Sequence, residues 1–314
     1  MNKNMDHTIW AERYRPTTLE DLVFPEKLRA KVQEWINTGE IPHIGIFGSI
    51  PGTGKSSLLS VLIDTLHTDT CWINGSKNNG IDTIRGEISG FAQNIAVTGN
   101  IKLVCIDEAD YLTVPAQATL RSDLELYAKN TRFAFTGNLP EKIIPPLMQR
   151  LQVFDLDKIY QENKKELGGQ IFQRLINILN EEEVQHEAKD VMAVVKNFYP
   201  STRAMLMFME QNTVDSVLDI ADLAKAGTVF DTLVEAMKAR KFKDVRTAVT
   251  ELMIPADFYT WMWKNIDIFE MPSQPQVIML LADFQDKSMR ASNKQIPLIA
   301  MLVNIIQDPD VKFV

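Results

Sequence analysis

Cysteine is nearly missing from this sequence: Cys71 and Cys105 are the two in 314 residues. Both sit in apolar, strand-like contexts with no zinc spacing, so they read as small buried hydrophobes in a reducing compartment rather than as a disulfide framework. No apolar run approaches the length of a membrane span. Met1–His7 is polar rather than a signal peptide, and the expectation is a cytoplasmic protein with no membrane partner. An excess of positive charge is also missing. The formal net charge is −8, so any nucleic-acid surface must be a local concentration of Lys and Arg. Internal repeats and low-complexity segments are not found, and His7, His43, His67 and His186 are scattered without metal-ligand spacing. What remains is an ordinary soluble composition, 45% hydrophobic and 24% charged, on a chain long enough for two or three domains.

The most informative stretch is Ser49-Ile50-Pro51-Gly52-Thr53-Gly54-Lys55-Ser56-Ser57. It follows the apolar run Ile44–Phe47, a predicted strand, and precedes Leu58–Leu62, the predicted opening of a helix. Glycines let successive backbone N–H groups turn around a phosphate, and the helix N-terminus adds a favourable dipole. Lys55 then reaches the β- and γ-phosphates, and the Ser56 hydroxyl sits on Mg²⁺. The general pattern begins with glycine, whereas this chain has Ser49 there. The stretch predicts binding of ATP or GTP.

Ile101–Ile106 is nearly continuous in apolar residues, as a strand covered on both faces should be. It ends in Asp107-Glu108-Ala109-Asp110. Strand C-terminal ends line the ligand crevice of a doubly wound fold, so Asp107 is placed to hold Mg²⁺ through its water shell and Glu108 to polarise the attacking water. Taken alone, the same residues also fit a solvated acidic turn.

Strand-like runs at Ile44–Phe47, Cys71–Asn74, Lys102–Ile106, Arg132–Thr136 and Val153–Leu156 alternate with amphipathic stretches. This predicts an α/β domain over residues 1–157, a parallel sheet with helices on both faces. Beyond Lys158 the strand signal fades. Helical spacing over Lys165–Leu179, Val191–Phe198 and Thr202–Gln211 predicts a small helical domain, residues 158–227, with its far boundary near Gly227. Phe230–Arg240, Lys243–Met253, Phe258–Ile268, Gln276–Lys287 and Ile296–Gln307 predict an all-helical C-terminal domain, residues 228–314, with Pro255, Pro272 and Pro275 as breaks. Phe258, Trp261, Trp263 and Phe269 are core or interface material there.

This layout resembles that of the AAA+ sliding-clamp-loader ATPases: the replication factor C small subunits and, more closely, the large clamp-loader subunits of T-even-type bacteriophages. Trp10-Ala11-Glu12-Arg13-Tyr14-Arg15-Pro16 and Leu19-Glu20-Asp21-Leu22-Val23 look like the family's N-terminal signature. The resemblance implies that Tyr14, Arg15, Pro16 and Val23 pack around the adenine. Asn74-Gly75-Ser76 and Gly80–Arg85 match the family's Asn-Ala-Ser stretch and the helix after it, which implies duplex-phosphate contacts from Lys77, Ile81 and Arg85. Ala116-Gln117-Ala118-Thr119-Leu120-Arg121 is similar to the family's Ala-Gln-x-Ala-Leu-Arg helix. By resemblance Gln117 is a polar junction, Arg121 approaches the neighbouring subunit, and Leu124 and Tyr127 contact the clamp; the family's second arginine is Ser122 here.

Asn138, in Thr136-Gly137-Asn138, occupies the family's sensor position for the γ-phosphate. Arg150, in Leu147–Leu151, aligns with the arginine of the Ser-Arg-Cys motif, implying a finger that acts in trans on a neighbour's ATP; Gln149 and Leu151 replace its flanking residues. Arg203, after Tyr199-Pro200-Ser201, matches the second sensor arginine. The resemblance implies an ATP hydrolase that uses ATP and Mg²⁺. Its expected partners are copies of itself, a small non-ATPase companion (a pentamer in all), a sliding clamp and primer–template DNA. Another AAA+ machine, such as a helicase loader, and a mainly structural loader subunit are the alternatives.

Overall fold

Five short strands build one parallel sheet in the order β2-β3-β4-β1-β5: β1 (Ile44–Phe47), β2 (Thr70–Asn74), β3 (Lys102–Asp107), β4 (Thr131–Gly137) and β5 (Gln152–Asp155). The computed structural model describes residues 9–94, 101–251 and 255–314; Met1–His7 and the end of the helix expected over Lys243–Met253 lie outside them. β4 runs between β3 and β1, with Cys105 opposite Ala134 and Ile46 opposite Thr136. The three inner strands are buried on both faces, as their continuous apolar runs require. The edges are wetter, with Trp72 and Val153 exposed.

Alternation along the strands feeds two cores. Ile44, Ile46, Leu103, Cys105 and Ala134 face α2 (Glu26–Thr38) and α3 (Lys55–Leu66), which follow the short α1 (Trp10–Arg13). Val104, Ile106, Phe133 and Phe135 face α4 (Ile81–Gln93) and α5 (Val114–Leu126), together with Leu147 of α6 (Pro145–Met148). The buried Lys102 donates to the carbonyls of Phe91 and Asn94 at the end of α4, so its charge is met by helix-terminal carbonyls.

The strand expected over Val153–Leu156 stops one residue early. The Asp155 carboxylate accepts from the Lys158 N–H at 3.1 Å, capping α7 (Leu156–Glu162) and drawing Leu156 into that helix. The chain continues through α8 (Lys164–Glu181), α9 (Ala188–Phe198) and α10 (Thr202–Gln211) to a small hairpin, β6 (Thr213–Val214) with β7 (Val217–Leu218), which the sequence did not signal. Gly168-Gly169 lies inside α8, where the burial of Leu167, Ile171 and Leu175 outweighs the local entropy cost.

Chain contacts divide the molecule between Asp219 and Ile220. Gly227 lies inside α11 (Ala221–Lys238), so the break falls ahead of the glycine. The second unit adds α12 (Phe242–Glu251), α13 (Pro255–Lys264), α14 (Gln274–Arg290) and α15 (Gln295–Gln307). Pro255 opens α13 and Pro275 sits in the first turn of α14, places where the missing N–H costs no helical bond. Phe258, Phe269, Met301 and Leu302 are core; Trp261 stacks on Phe230 with ring centroids 5.0 Å apart, and Trp263 is exposed. Arg240 donates to the carbonyls of Ile306, Asp308 and Val311, tying the chain end to this core.

Candidate functional site: a nucleotide cleft at the strand ends

The C-terminal ends of β1, β4 and β3 open onto one cleft of about 360 Å³. Sheet order dictates what meets there: the loop after β1 on one side, the acidic pair after β3 on the other, and the Thr136-Gly137-Asn138 turn between them. Tyr14, Arg15, Pro16, Val23, residues 51–57, Asp107, Glu108, Asn138 and Arg203 all line it.

The loop is shaped to wrap an anion. Gly52 and Gly54 have φ of +76° and +92°, where a side chain is strained. A Cβ on Gly52 would also lie 2.7 Å from both Arg203 Cβ and Ser201 Oγ, so the start of α10 rests on the loop. Ser201 donates to the Pro51 carbonyl at 2.8 Å. Lys55 donates to the carbonyls of Gly48 (2.8 Å) and Ile50 (2.9 Å), a folded-back position from which it can swing to a phosphate. Burial pushes its ammonium below the usual lysine range, opposed by the carboxylates of Asp157, Asp110 and Asp107. Ser49, in place of the usual glycine, presents its N–H to Asp157 Oδ2 at 2.7 Å.

Oxygen donors gather opposite. The Ser56 hydroxyl donates to Asp107 Oδ1 at 2.9 Å, and Thr136 donates to the same oxygen. Glu108 takes a left-handed backbone, φ +56°, and its N–H donates to Thr136 Oγ1 at 3.3 Å. Gly75 permits that turn. Its N–H donates to the Asp107 carbonyl at 2.7 Å, and a Cβ there would meet the Glu108 carbonyl oxygen at 2.5 Å. The buried Asn138 Oδ1 has no hydrogen-bond partner among the described residues. A buried acceptor left so costs about 1–3 kcal/mol, which a water or ligand donor in the cleft would recover. Together with the hard-oxygen pair of Ser56 and Asp107, this suits a magnesium-bound nucleotide.

The part of the cleft lined by Tyr14, Arg15, Pro16 and Val23 has supports that sequence reasoning missed. The Tyr160 hydroxyl lies 3.1 Å from the Val23 carbonyl and 3.0 Å from that of Thr53, joining the N-terminal segment to the phosphate loop. Arg174 of α8 donates to the carbonyls of Asp21 and Tyr14, both at 2.8 Å. The Tyr14 hydroxyl donates to Glu182 at 2.6 Å; burial, then that carboxylate, pushes its pKa up. These partners stand far apart in the chain, and no local pattern announces them; Thr136 alone could have been found, two residues before Asn138.

Away from the cleft, Lys77 and Arg85 are exposed and Ile81 is half-buried at the start of α4. Gln117 is 1% exposed: its amide donates to the carbonyls of Leu112 and Lys142 and accepts from the Ile144 N–H at 2.8 Å, an internal junction. Arg121 is exposed. Leu124 needs correction as a surface anchor. It is 1% exposed in the core, because the helix turns it toward the sheet, while Leu126 is 70% exposed; Tyr127 is half-buried against the core. Arg150 pairs with Glu125 of its own chain and donates to the Pro146 carbonyl at 2.6 Å.

Residues 46–159 match the model of the ATPase family associated with various cellular activities (AAA). The replication factor C small subunit of Saccharolobus solfataricus is 27% identical, over 97% of this chain and 96% of that protein. The sliding-clamp-loader large subunit of Escherichia phage RB69 is 26% identical, over 96% and 97%. The replication factor C small subunit of Staphylothermus marinus is 30% identical, over 78% and 76%. A solved Thermotoga maritima RuvB variant shares the fold, with TM-score 0.51 and 14% identity over 71% of this chain and 79% of that one. A glycine–lysine loop, an acidic pair and the Asn138 amide share one cleft, and the chain aligns over 78–97% of its length with these three relatives; it belongs to the replication factor C small-subunit family of AAA ATPases.

Proposed function

We propose that this ATPase is the motor subunit of a DNA-polymerase sliding-clamp loader. The observation that carries the reading is the convergence of Lys55, Asp107, Glu108 and Asn138 on one cleft, in a chain whose relatives include phage subunits named for sliding-clamp loading. Lys55 and Arg203 bind the phosphates, Ser56 and Asp107 hold Mg²⁺, and Asn138 senses the γ-phosphate. Tyr14, Arg15, Pro16 and Val23 enclose the adenine. Glu108 orients a water and takes its proton as the water oxygen bonds to the γ-phosphorus and the bridging oxygen leaves with ADP. Arg150 reaches the ATP of a neighbouring copy, where a finger in trans is worth roughly 10³–10⁵ in rate.

In this reading residues 158–219 act as a lid and 220–314 as a collar holding copies in a ring with a small companion subunit, five chains in all. The ATP-bound ring opens the clamp through Tyr127 and the exposed Leu126, while Arg121 approaches the neighbouring subunit. Lys77, Ile81, Arg85 and the start of α4 track primer–template phosphates. DNA then triggers hydrolysis, and the clamp closes and is released in the cytoplasm.

The test is ATP hydrolysis by the chain assembled with its companion, with and without cognate clamp and primed DNA. Strong stimulation by both together is expected. Turnover indifferent to both in the complete assembly would leave an AAA ATPase of another kind.

A further inference from the structure

Arg150 is held by a side chain that the catalytic reading leaves without a task. Glu125 Oε1 accepts from both Nε (2.8 Å) and Nη2 of Arg150, and Nη1 donates to the Pro146 carbonyl at 2.6 Å. A guanidinium has five N–H groups in a fixed fork. Three are used here, and one hydrogen on each Nη remains, so the far end of the fork is left for a phosphate.

The pair is exposed, with 31% of the Arg150 and 61% of the Glu125 side chain accessible. Such pairs contribute little to stability, so its use is orientation. Without Glu125 a long arginine on a surface turn would sample many rotamers.

Glu125 occupies the last turn of α5, beside Leu126, the exposed apolar residue at that helix end. The same helix is tied by Gln117 to Lys142 and Ile144, the segment leading to Arg150. α5 thus grips the Arg150 segment at two levels, one through backbone and one through the guanidinium itself.

We propose that Glu125 is a positioning residue that braces Arg150 for action on a neighbouring subunit and links its aim to whatever binds the Leu126 end of α5. The inference rests on reading Arg150 as the trans finger. The occupant of the helix end in that reading is the clamp, so clamp docking and finger placement share one rigid element.

The test uses the complete loader carrying Glu125→Ala, Glu125→Asp or Arg150→Ala, alone and with Glu125→Ala added to Arg150→Ala. Clamp- and DNA-stimulated kcat should fall about 10-fold in Glu125→Ala, as expected of a misaimed catalytic group, with KM for ATP unchanged. Glu125→Asp should recover part of it, and Glu125→Ala should add nothing to Arg150→Ala. Retention of ADP–aluminium fluoride, a transition-state mimic, should weaken in Glu125→Ala while ATP binding and melting temperature hold. An unchanged or faster Glu125→Ala beside an inactive Arg150→Ala would overturn the brace and leave the finger. A fully active Arg150→Ala would remove the finger reading itself.

Discussion

Thr136 donates its hydroxyl hydrogen to Asp107 Oδ1, the oxygen that also receives the Ser56 hydroxyl. Because Thr136 Oγ1 in turn accepts from the Glu108 N–H, one buried hydroxyl orients both carboxylate residues. Thr136→Val keeps the shape and removes both bonds. Expected is a fall in kcat of about 10–100-fold, or roughly 1.4–2.7 kcal/mol of barrier, with ATP affinity kept and Thr136→Ser near normal. Steady-state hydrolysis and a nucleotide-binding titration check it; unchanged turnover in the valine variant would refute it.

Gly52 touches the start of α10. Gly52→Ala introduces strain at φ +76° and a methyl 2.7 Å from Arg203 Cβ. The variant should lose about 1–3 kcal/mol of stability and at least about tenfold in ATP affinity, because Arg203 is pushed off the cleft. Thermal melting and a fluorescent-nucleotide titration measure the two effects.

Arg174→Met removes the two bonds that hold Asp21 and Tyr14. Hydrogen exchange should accelerate over residues 14–23, and ATP affinity should fall. Lysine at this position should restore little, since it lacks the planar fork that spans two carbonyls.

His43 Nδ1 accepts from the Phe133 N–H at 3.1 Å, which requires a neutral ring. Burial, then the Arg132 charge, lowers its pKa from 6.5 to about 4. Between those values the unfolded chain binds the extra proton, so stability is full above pH 6.5 and falls as pH drops toward 4. Allowing for the ring's partial contact with water, the loss is roughly 1–2 kcal/mol. Urea unfolding at pH 5.0 and 7.5, compared with His43→Gln, checks it; an equal pH response in both proteins would refute the assignment.

Leu126 and Leu124 should separate surface from core. Leu126→Ser should weaken clamp stimulation and leave the melting temperature unchanged. Leu124→Ala should cost about 2–5 kcal/mol of stability. The reverse pattern would contradict the burial of these two side chains.

Residues 49–57 and 107–108 were legible because their chemistry is local: glycines, a lysine and a carboxylate pair, each after an apolar run. The parallel sheet followed from the same runs. Leu124 was named by resemblance, which points to the end of α5 but does not say which leucine there faces outward; the fold buries Leu124 and exposes Leu126. The Gly227 boundary fell inside a helix, since one glycine does not outweigh the packing of α11. Tyr160, Arg174 and Glu125 act through partners brought near only by folding: Arg174 lies 160 positions from Tyr14. Sequence adjacency carries no trace of such pairs.

Gly75 lies against the Glu108 carbonyl with no room for a methyl group. An alanine at position 75 would need the Glu108 peptide to move with it. A side chain at position 75 would therefore act on the cleft through the Glu108 peptide, although residue 75 itself does not line it.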